Sequence, residues 1–196
     1  MPTWKELIDR NPYHSQDYAA RWRRIAASGK DIFGEARLID ALVPRQARIL
    51  DAGCGTGRLG GWLAQRGHRV HGVDLDPVLI DYARADYPES TWEVGDLGVD
   101  PLERQAYNAV VCAGNVMTFI EPDRREAAVA NLAQALIPGG RAVVGFGAGR
   151  GWDFADFLDT CRRAGMILDH SYSTWDLRPL TKDSDFLVAI LSTPRS

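Results

Sequence analysis

Apolar residues along this chain follow two different rhythms. Over the first forty-odd positions they recur at helical spacing, at Trp4, Leu7 and Ile8, then Tyr18, Trp22 and Ile25, then Phe33, Leu38 and Leu42. Asn11-Pro12 breaks the first of these helices, Ser28-Gly29 ends the second and Pro44 follows the third. Short β-rich runs then predict strands at 48–52, 69–74, 91–95, 108–113, 141–146, 167–174 and 186–191. Helical patterns fill most of the gaps, at 58–66, 77–87, 123–135 and 153–164, with the gap between the third and fourth strands less regular. Strands alternating with helices predict βαβ units and a largely parallel sheet covered on both faces. The run Ala109-Val110-Val111-Cys112-Ala113 is apolar throughout, as a strand buried on both sides should be.

The last connection breaks this rule. Between Thr174 and Phe186 lies WDLRPLTKDSD, too short and polar for a crossover helix, so the final strand is predicted to pair antiparallel. The expected architecture is therefore α/β: a doubly wound, Rossmann-like seven-stranded sheet with its last strand antiparallel. Residues 47–196 would form it, with 1–46 a helical cap or lid on the same structural unit.

Bulk composition narrows the function. A length of 196 residues with 45% hydrophobic and 25% charged residues suits one globular domain. The formal charge of −3 and the lack of any basic run provide no phosphate-neutralising surface, so nucleic acid is not an expected partner. No apolar stretch is long enough to span a membrane, and MPTWKELIDRNPYHSQDY has no secretory core, so a cytoplasmic protein, monomer or homodimer, is expected. Cys54, Cys112 and Cys161 are far apart and lack C-x-x-C spacing, which suits a reducing compartment. His68 and His71 fall on opposite sides of a strand start, and no metal site is expected.

The chemistry begins at Asp51-Ala52-Gly53-Cys54-Gly55-Thr56-Gly57, where an apolar strand enters a glycine-rich loop ahead of a helix. Such a loop can be mere connection. It also allows close approach of backbone to a ligand. Gly55-x-Gly57-x-x-Gly60 with Asp74 at the next strand end satisfies a dinucleotide fingerprint, so a nicotinamide-linked reductase fits the loop taken alone. Asp51 argues otherwise, because a carboxylate there would repel pyrophosphate and attract an ammonium or sulfonium. Gly95-Asp96 puts another acid at the same sheet edge, and Pro138-Gly139-Gly140 forms a turn into the fifth strand.

Together DAGCGTG, GVDLDP, GDL at residues 95–97, PGG and the terminal antiparallel strand resemble the class I S-adenosylmethionine (SAM)-dependent methyltransferases from Arg48 onward. NPYHSQDY, GEARLIDAL, AGNVMTF and STWDLRP are similar to a group of small actinobacterial-type members whose substrates are undefined. The resemblance implies SAM as cofactor, with Asp51, Gly53, Cys54, Gly55 and Gly57 around its methionine part. It implies Asp74 on the ribose, with Leu75 beside it and Asp76 either a second contact or a helix cap. Asp96 and Leu97 would meet the adenine, unless Asp96 only shapes its turn. The backbone of Ala113 and Gly114 would pass under the methionine amine. A small-molecule acceptor would then sit beyond the later strand ends, among Tyr13, Tyr18, Asn115, Phe119, Arg150, Trp175, Asp176 and Arg178, although Trp175 and Phe119 could equally be packing. Met117, Trp4 and Trp22 read as packing residues. His14 is a candidate proton acceptor or a surface histidine, and Asn115 a second candidate catalytic residue. A SAM-binding protein without catalysis is the third reading.

Overall fold

Seven strands form in the computed structural model, which describes residues 2–195. They are β1 (Arg48–Ala52), β2 (Arg69–Asp74), β3 (Thr91–Val94), β4 (Tyr107–Cys112), β5 (Leu136–Gly147), β6 (Ile167–Tyr172) and β7 (Phe186–Ser192). Their order across the sheet is β3-β2-β1-β4-β5-β7-β6. The pairs β1–β2, β1–β4, β2–β3 and β4–β5 are parallel, whereas β7 runs antiparallel to both β5 and β6. The polar 175–185 connection explains this: it has no helix to carry the chain back across a face.

Two layers of helices cover the sheet. Helices α3 (Gly34–Leu42), α4 (Arg58–Gln65) and α5 (Pro77–Asp86) bury Ala36, Ile39, Leu59, Leu63, Ile80 and Ala83 with Ile49, Val111 and Val143 of the strands. On the other face, α7 (Arg125–Ala135) and α8 (Phe154–Arg163) bury Val129, Leu132, Phe157 and Cys161 with Leu50, Val110 and Val144. Successive strand residues point to opposite faces, so both halves of each central strand must be apolar. β4 meets that demand, with Ala109 to Cys112 all buried.

Three local features go beyond the pattern-based expectation. The Pro138-Gly139-Gly140 turn is an irregular part of a longer β5: Tyr107 pairs with Leu136 and Ala109 with Arg141, so the chain between bulges, with Gly139 at φ 72°. Residues 95–106, the less regular gap, carry no helix and turn around Asp96 and Asp100. The segment 12–18 is helical from its third residue. α1 (Trp4–Arg10) starts with a capping box between Thr3 and Glu6, and α2 (His14–Ala27) begins immediately after Pro12-Tyr13. α2 packs on α5, where Arg23 meets Asp86 at 3.3 Å and lies 4.9 Å from the Tyr82 ring centroid. The short helix α6 (Val116–Phe119) follows β4. Among the described residues no helix is long and apolar enough to cross a membrane.

Candidate active site

The parallel strands β1 and β4 end side by side, and the chain leaves β1 through the glycine loop. Gly53 sits at φ 76°, and a Cβ there would lie 2.4 Å from the Val116 methyls, so only glycine fits. Beside it, Gly114 stands at φ 74° with open space where a Cβ would be. The two backbones lie side by side at the ends of β1 and β4, with Val116 packed against Gly53 and open space beside Gly114.

Two carboxylates at this sheet edge hold their charge at a cost. Asp51 is 2% exposed, and its Oδ2 accepts from the Gly60 N–H at 2.9 Å. Burial pushes its pKa from 3.8 up to about 7, against the opposing pull of the Gly60 N–H and the Arg58 charge. Asp74 accepts from the Gly55 N–H at 2.8 Å and the Asp76 N–H at 3.0 Å, which ties the glycine loop to the end of β2. Burial raises its pKa to about 6. A buried acid that holds its charge reluctantly is complementary to a cationic ligand, which would restore the ionised form.

A recess of about 240 Å³ opens over the loop, lined by Asp51, Gly53, Cys54, Thr56, Arg58, Leu59, Ala113 and Gly114. Tyr18, Trp22, Glu35, Trp175 and Phe186 complete its walls. Tyr18 reaches over Gly55, where a Cβ would come within 3.4 Å of its ring. Trp175 lies against Gly145, whose missing Cβ makes room for the indole: an added one would meet it at 2.4 Å. The N-terminal helices are held down at Asp76. That carboxylate is 1% exposed and caps α5 through the Val78 and Leu79 N–H groups. Its Oδ2 accepts from Trp4 Nε1 at 2.9 Å and from the Ser15 hydroxyl.

Several expected site residues lie elsewhere. Asp76, expected as either a second cofactor contact or a helix cap, is a cap and an anchor, and both of its oxygens accept hydrogen bonds from within the protein. His14 packs edge-on against Trp4 at 4.7 Å and is not part of the recess wall, so it is not placed as a base there. Asn115, at φ 69°, uses its Oδ1 to accept from the Gly147 N–H at 2.8 Å and so joins the β4 and β5 ends. Tyr13 is 70% exposed, and Asp176 and Arg178 pair with each other on the surface, so all three fall outside the pocket. Phe119 packs on Trp4 at 5.5 Å, and Arg150 lies beside Gly147; neither lines the recess. Asp96 binds the Gly98 N–H at 2.9 Å and Arg124 at 2.8 Å, holding the turn after β3. Next to it Leu97 is buried, while Leu75 at the end of β2 is 44% exposed, an apolar side chain at the sheet's carboxyl rim.

The sequence does not single out Trp22, Glu35, Arg58, Leu59 or Phe186 as wall residues. Trp22 shared helical spacing with Tyr18 and Ile25, which reads equally well as packing. Glu35 and Arg58 form a shielded ion pair at 3.1 Å across 23 positions, a long-range contact with no local signal.

Residues 49–140 match the profile of a family described as "Methyltransferase domain". The fold is similar to the crystal structure of a TehB-like SAM-dependent methyltransferase from Corynebacterium glutamicum. The TM-score is 0.91 at 56% identity, covering 94% of this chain and 100% of that one. An uncharacterised methyltransferase of Mycobacterium bovis is 38% identical over 104 residues, 53% of this chain and 41% of its own length. An 18S rRNA (guanine-N(7))-methyltransferase of Bos taurus is 30% identical over 105 residues, 49% of this chain and 37% of its own length. This chain thus spans less than half the length of these two curated relatives.

Proposed function

This chain belongs to the class I SAM-dependent methyltransferases, and we propose that it binds SAM over the 53–57 loop and methylates a small cytoplasmic molecule. One observation carries the reading: a recess of about 240 Å³ between the glycine cradle and an aromatic roof of Tyr18, Trp22 and Trp175. Its size suits part of a metabolite-sized ligand, and its walls mix aromatic and polar groups as small-ligand sites do. The open space beside the Gly114 backbone fits a close-lying methionine chain, and the reluctant acid Asp51 fits its ammonium. The formal charge of −3 supports a metabolite over a polyanion. Three free, buried cysteines support a reducing compartment.

SAM bound there would supply a methyl group activated by its sulfonium for in-line transfer. The chain's own contribution is to bind, orient and exclude water. Asp51 and the 53–57 backbone would hold the methionine end, while Asp74 would accept from the ribose hydroxyls through lone pairs its two backbone donors leave unused. Tyr18, Trp22 and Trp175 screen the recess from water. No histidine lines the recess, so positioning supplies the main share of the rate enhancement.

Methyl-labelled SAM offered with metabolite, nucleic-acid and unmodified-protein pools tests the acceptor class. Label is expected in the metabolite pool, with transfer lost in Trp175→Ala. Label in RNA, as the function of the rRNA-modifying relative would give, with Trp175→Ala still active, would overturn both acceptor and pocket. SAM and its demethylated product should raise the melting temperature where NADH and NADPH do not.

A further inference from the structure

The link between β6 and β7 delivers one aromatic side chain into the recess. Its turn is closed by the Ser173 N–H on the Arg178 carbonyl at 2.8 Å, the Leu177 N–H on the Thr174 carbonyl at 3.1 Å and the Arg178 N–H on the Thr174 hydroxyl at 3.1 Å. Asp176, Leu177 and Arg178 are left exposed, whereas Trp175 lies over Gly145 and walls the recess with Phe186. Tyr18 and Trp22 wall it from α2. The charges among these rings are already satisfied. Both Glu35 oxygens accept from Arg58, at 3.1 and 3.3 Å, and the guanidinium also donates to the Ile32 carbonyl and lies 4.1 Å from the Trp22 ring centroid. A cationic acceptor would meet that guanidinium and the sulfonium together, and an anionic one would meet Glu35 and Asp51. Aromatic walls with compensated charges suit a flat, neutral acceptor.

Among the described residues, no side chain in these walls is free to take a proton. No histidine lines the recess, Glu35 is held by Arg58, and Asp51 accepts from the Gly60 N–H beside the cofactor's ammonium. Burial raises the Tyr18 hydroxyl above its ordinary pKa and the Cys54 thiol well above its own, so both stay protonated near neutral pH. An alcohol or a protonated alkylamine must shed a proton to be methylated. A ring nitrogen of the pyridine type is neutral with its lone pair free. We propose that the acceptor is a neutral nitrogen heteroaromatic ring, stacked on Trp175 and methylated at its ring nitrogen. This rests on the reading of the recess as the site of SAM-dependent transfer. The nitrogen lone pair forms the new C–N bond as the C–S bond breaks and its electron pair stays on sulfur. Positive charge passes from sulfur to the ring, and no proton moves. The indole face of Trp175 attracts the ring more strongly as that charge develops, which favours the transition state over the bound acceptor.

Pyridine, piperidine and phenol are probes of one size: the first has a free lone pair near neutral pH, the second is protonated, and the third must lose a proton. With methyl-labelled SAM, pyridine should become N-methylpyridinium at least about 100-fold faster than either other probe is methylated, the range for a missing general base. Saturation-transfer NMR on the protein bound to S-adenosylhomocysteine, the demethylated cofactor, reads the stack without turnover: pyridine and phenol should be contacted and piperidine not. Trp175→Leu should lower kcat/KM for pyridine about 5- to 100-fold and abolish its NMR contact, whereas Trp175→Phe should keep most of both. S-adenosylhomocysteine affinity should stay within about threefold in each variant, which also reports a folded site. Faster methylation of phenol or piperidine, or pyridine turnover unchanged in Trp175→Leu, would overturn the proposal. So would a protein that binds S-adenosylhomocysteine and methylates none of the three. Should Trp175→Leu not fold, the wild-type ranking and Trp175→Phe decide: a wild type that ranks phenol or piperidine first overturns it. A wild type that binds no S-adenosylhomocysteine overturns the SAM reading itself.

Discussion

Replacing Asp51 by asparagine should stabilise the ligand-free protein and cripple its cofactor site, and the two effects should separate with pH. The carboxylate is 2% exposed and titrates near 7 where a free aspartate titrates at 3.8. The folded state therefore holds this proton more tightly than the unfolded chain. Its stabilising contribution is complete below about pH 4 and is lost as pH rises through about 7. A displacement of about three pH units corresponds to about 4 kcal/mol against the folded state above pH 8. Asparagine keeps an oxygen for the Gly60 N–H and carries no charge to desolvate. Allowing about 1–3 kcal/mol for its imperfectly paired amide, the variant should gain about 1–3 kcal/mol at pH 8. The sharper signature is the slope: from pH 6 to pH 8 the wild type should lose about 1.4 kcal/mol through this group, or about 3–6 °C in Tm for a chain of this size. Asp51→Asn should lack that component. In the wild type, S-adenosylhomocysteine should bind about tenfold more weakly for each pH unit below 7, because Asp51 must first lose its proton; in the variant affinity should be about 10- to 100-fold lower and flatter with pH. Thermal unfolding and calorimetry at pH 6, 7 and 8 measure both. An identical pH slope of Tm in the two proteins, or a variant that binds as the wild type does, would refute the argument.

Asp74→Ala removes the acceptor for the Gly55 and Asp76 N–H groups, so S-adenosylhomocysteine affinity should fall at least about tenfold, by calorimetry, with a smaller loss for Asp74→Asn. Gly145→Ala drives a methyl to within 2.4 Å of Trp175 and should displace the indole from the recess. Tryptophan fluorescence should shift, and cofactor affinity should change by less than about threefold if Trp175 serves the acceptor side, because this contact lies on β5, away from the 53–57 loop. Trp4→Phe deletes one hydrogen bond to the buried Asp76 carboxylate and should cost about 1.5–3 kcal/mol, read as a Tm decrease. The N-terminal helices are proposed to act as a lid. Hydrogen exchange should then show protection of residues 13–27 rising when S-adenosylhomocysteine binds, and equal protection in both states would mark them as a fixed cap.

The sheet was legible in the sequence because its causes are local. A short apolar run such as Ala109 to Ala113, set among alternating helical patterns, reads as a strand buried on both faces, and the polar 175–185 link is too short to return the chain in parallel. Gly53, Gly55 and Gly57 were readable for the same reason: a dense run of glycines after an apolar strand has few conformational uses other than close approach. Side-chain destinations were not readable, because they depend on which elements meet. Trp22 keeps helical spacing whether it packs in a core or walls a recess, and only the docking of α2 over the β1–α4 turn decided between them. Asp76 could be cap or ligand until Trp4 and Ser15 arrived from more than sixty positions away and took its second oxygen. His14 lies against Trp4, and Asp176 and Arg178 satisfy each other at the surface. Glu35 and Arg58 are ordinary charges in sequence; tertiary structure alone shields them together in the recess beside Asp51, because they meet only when α3 docks on α4.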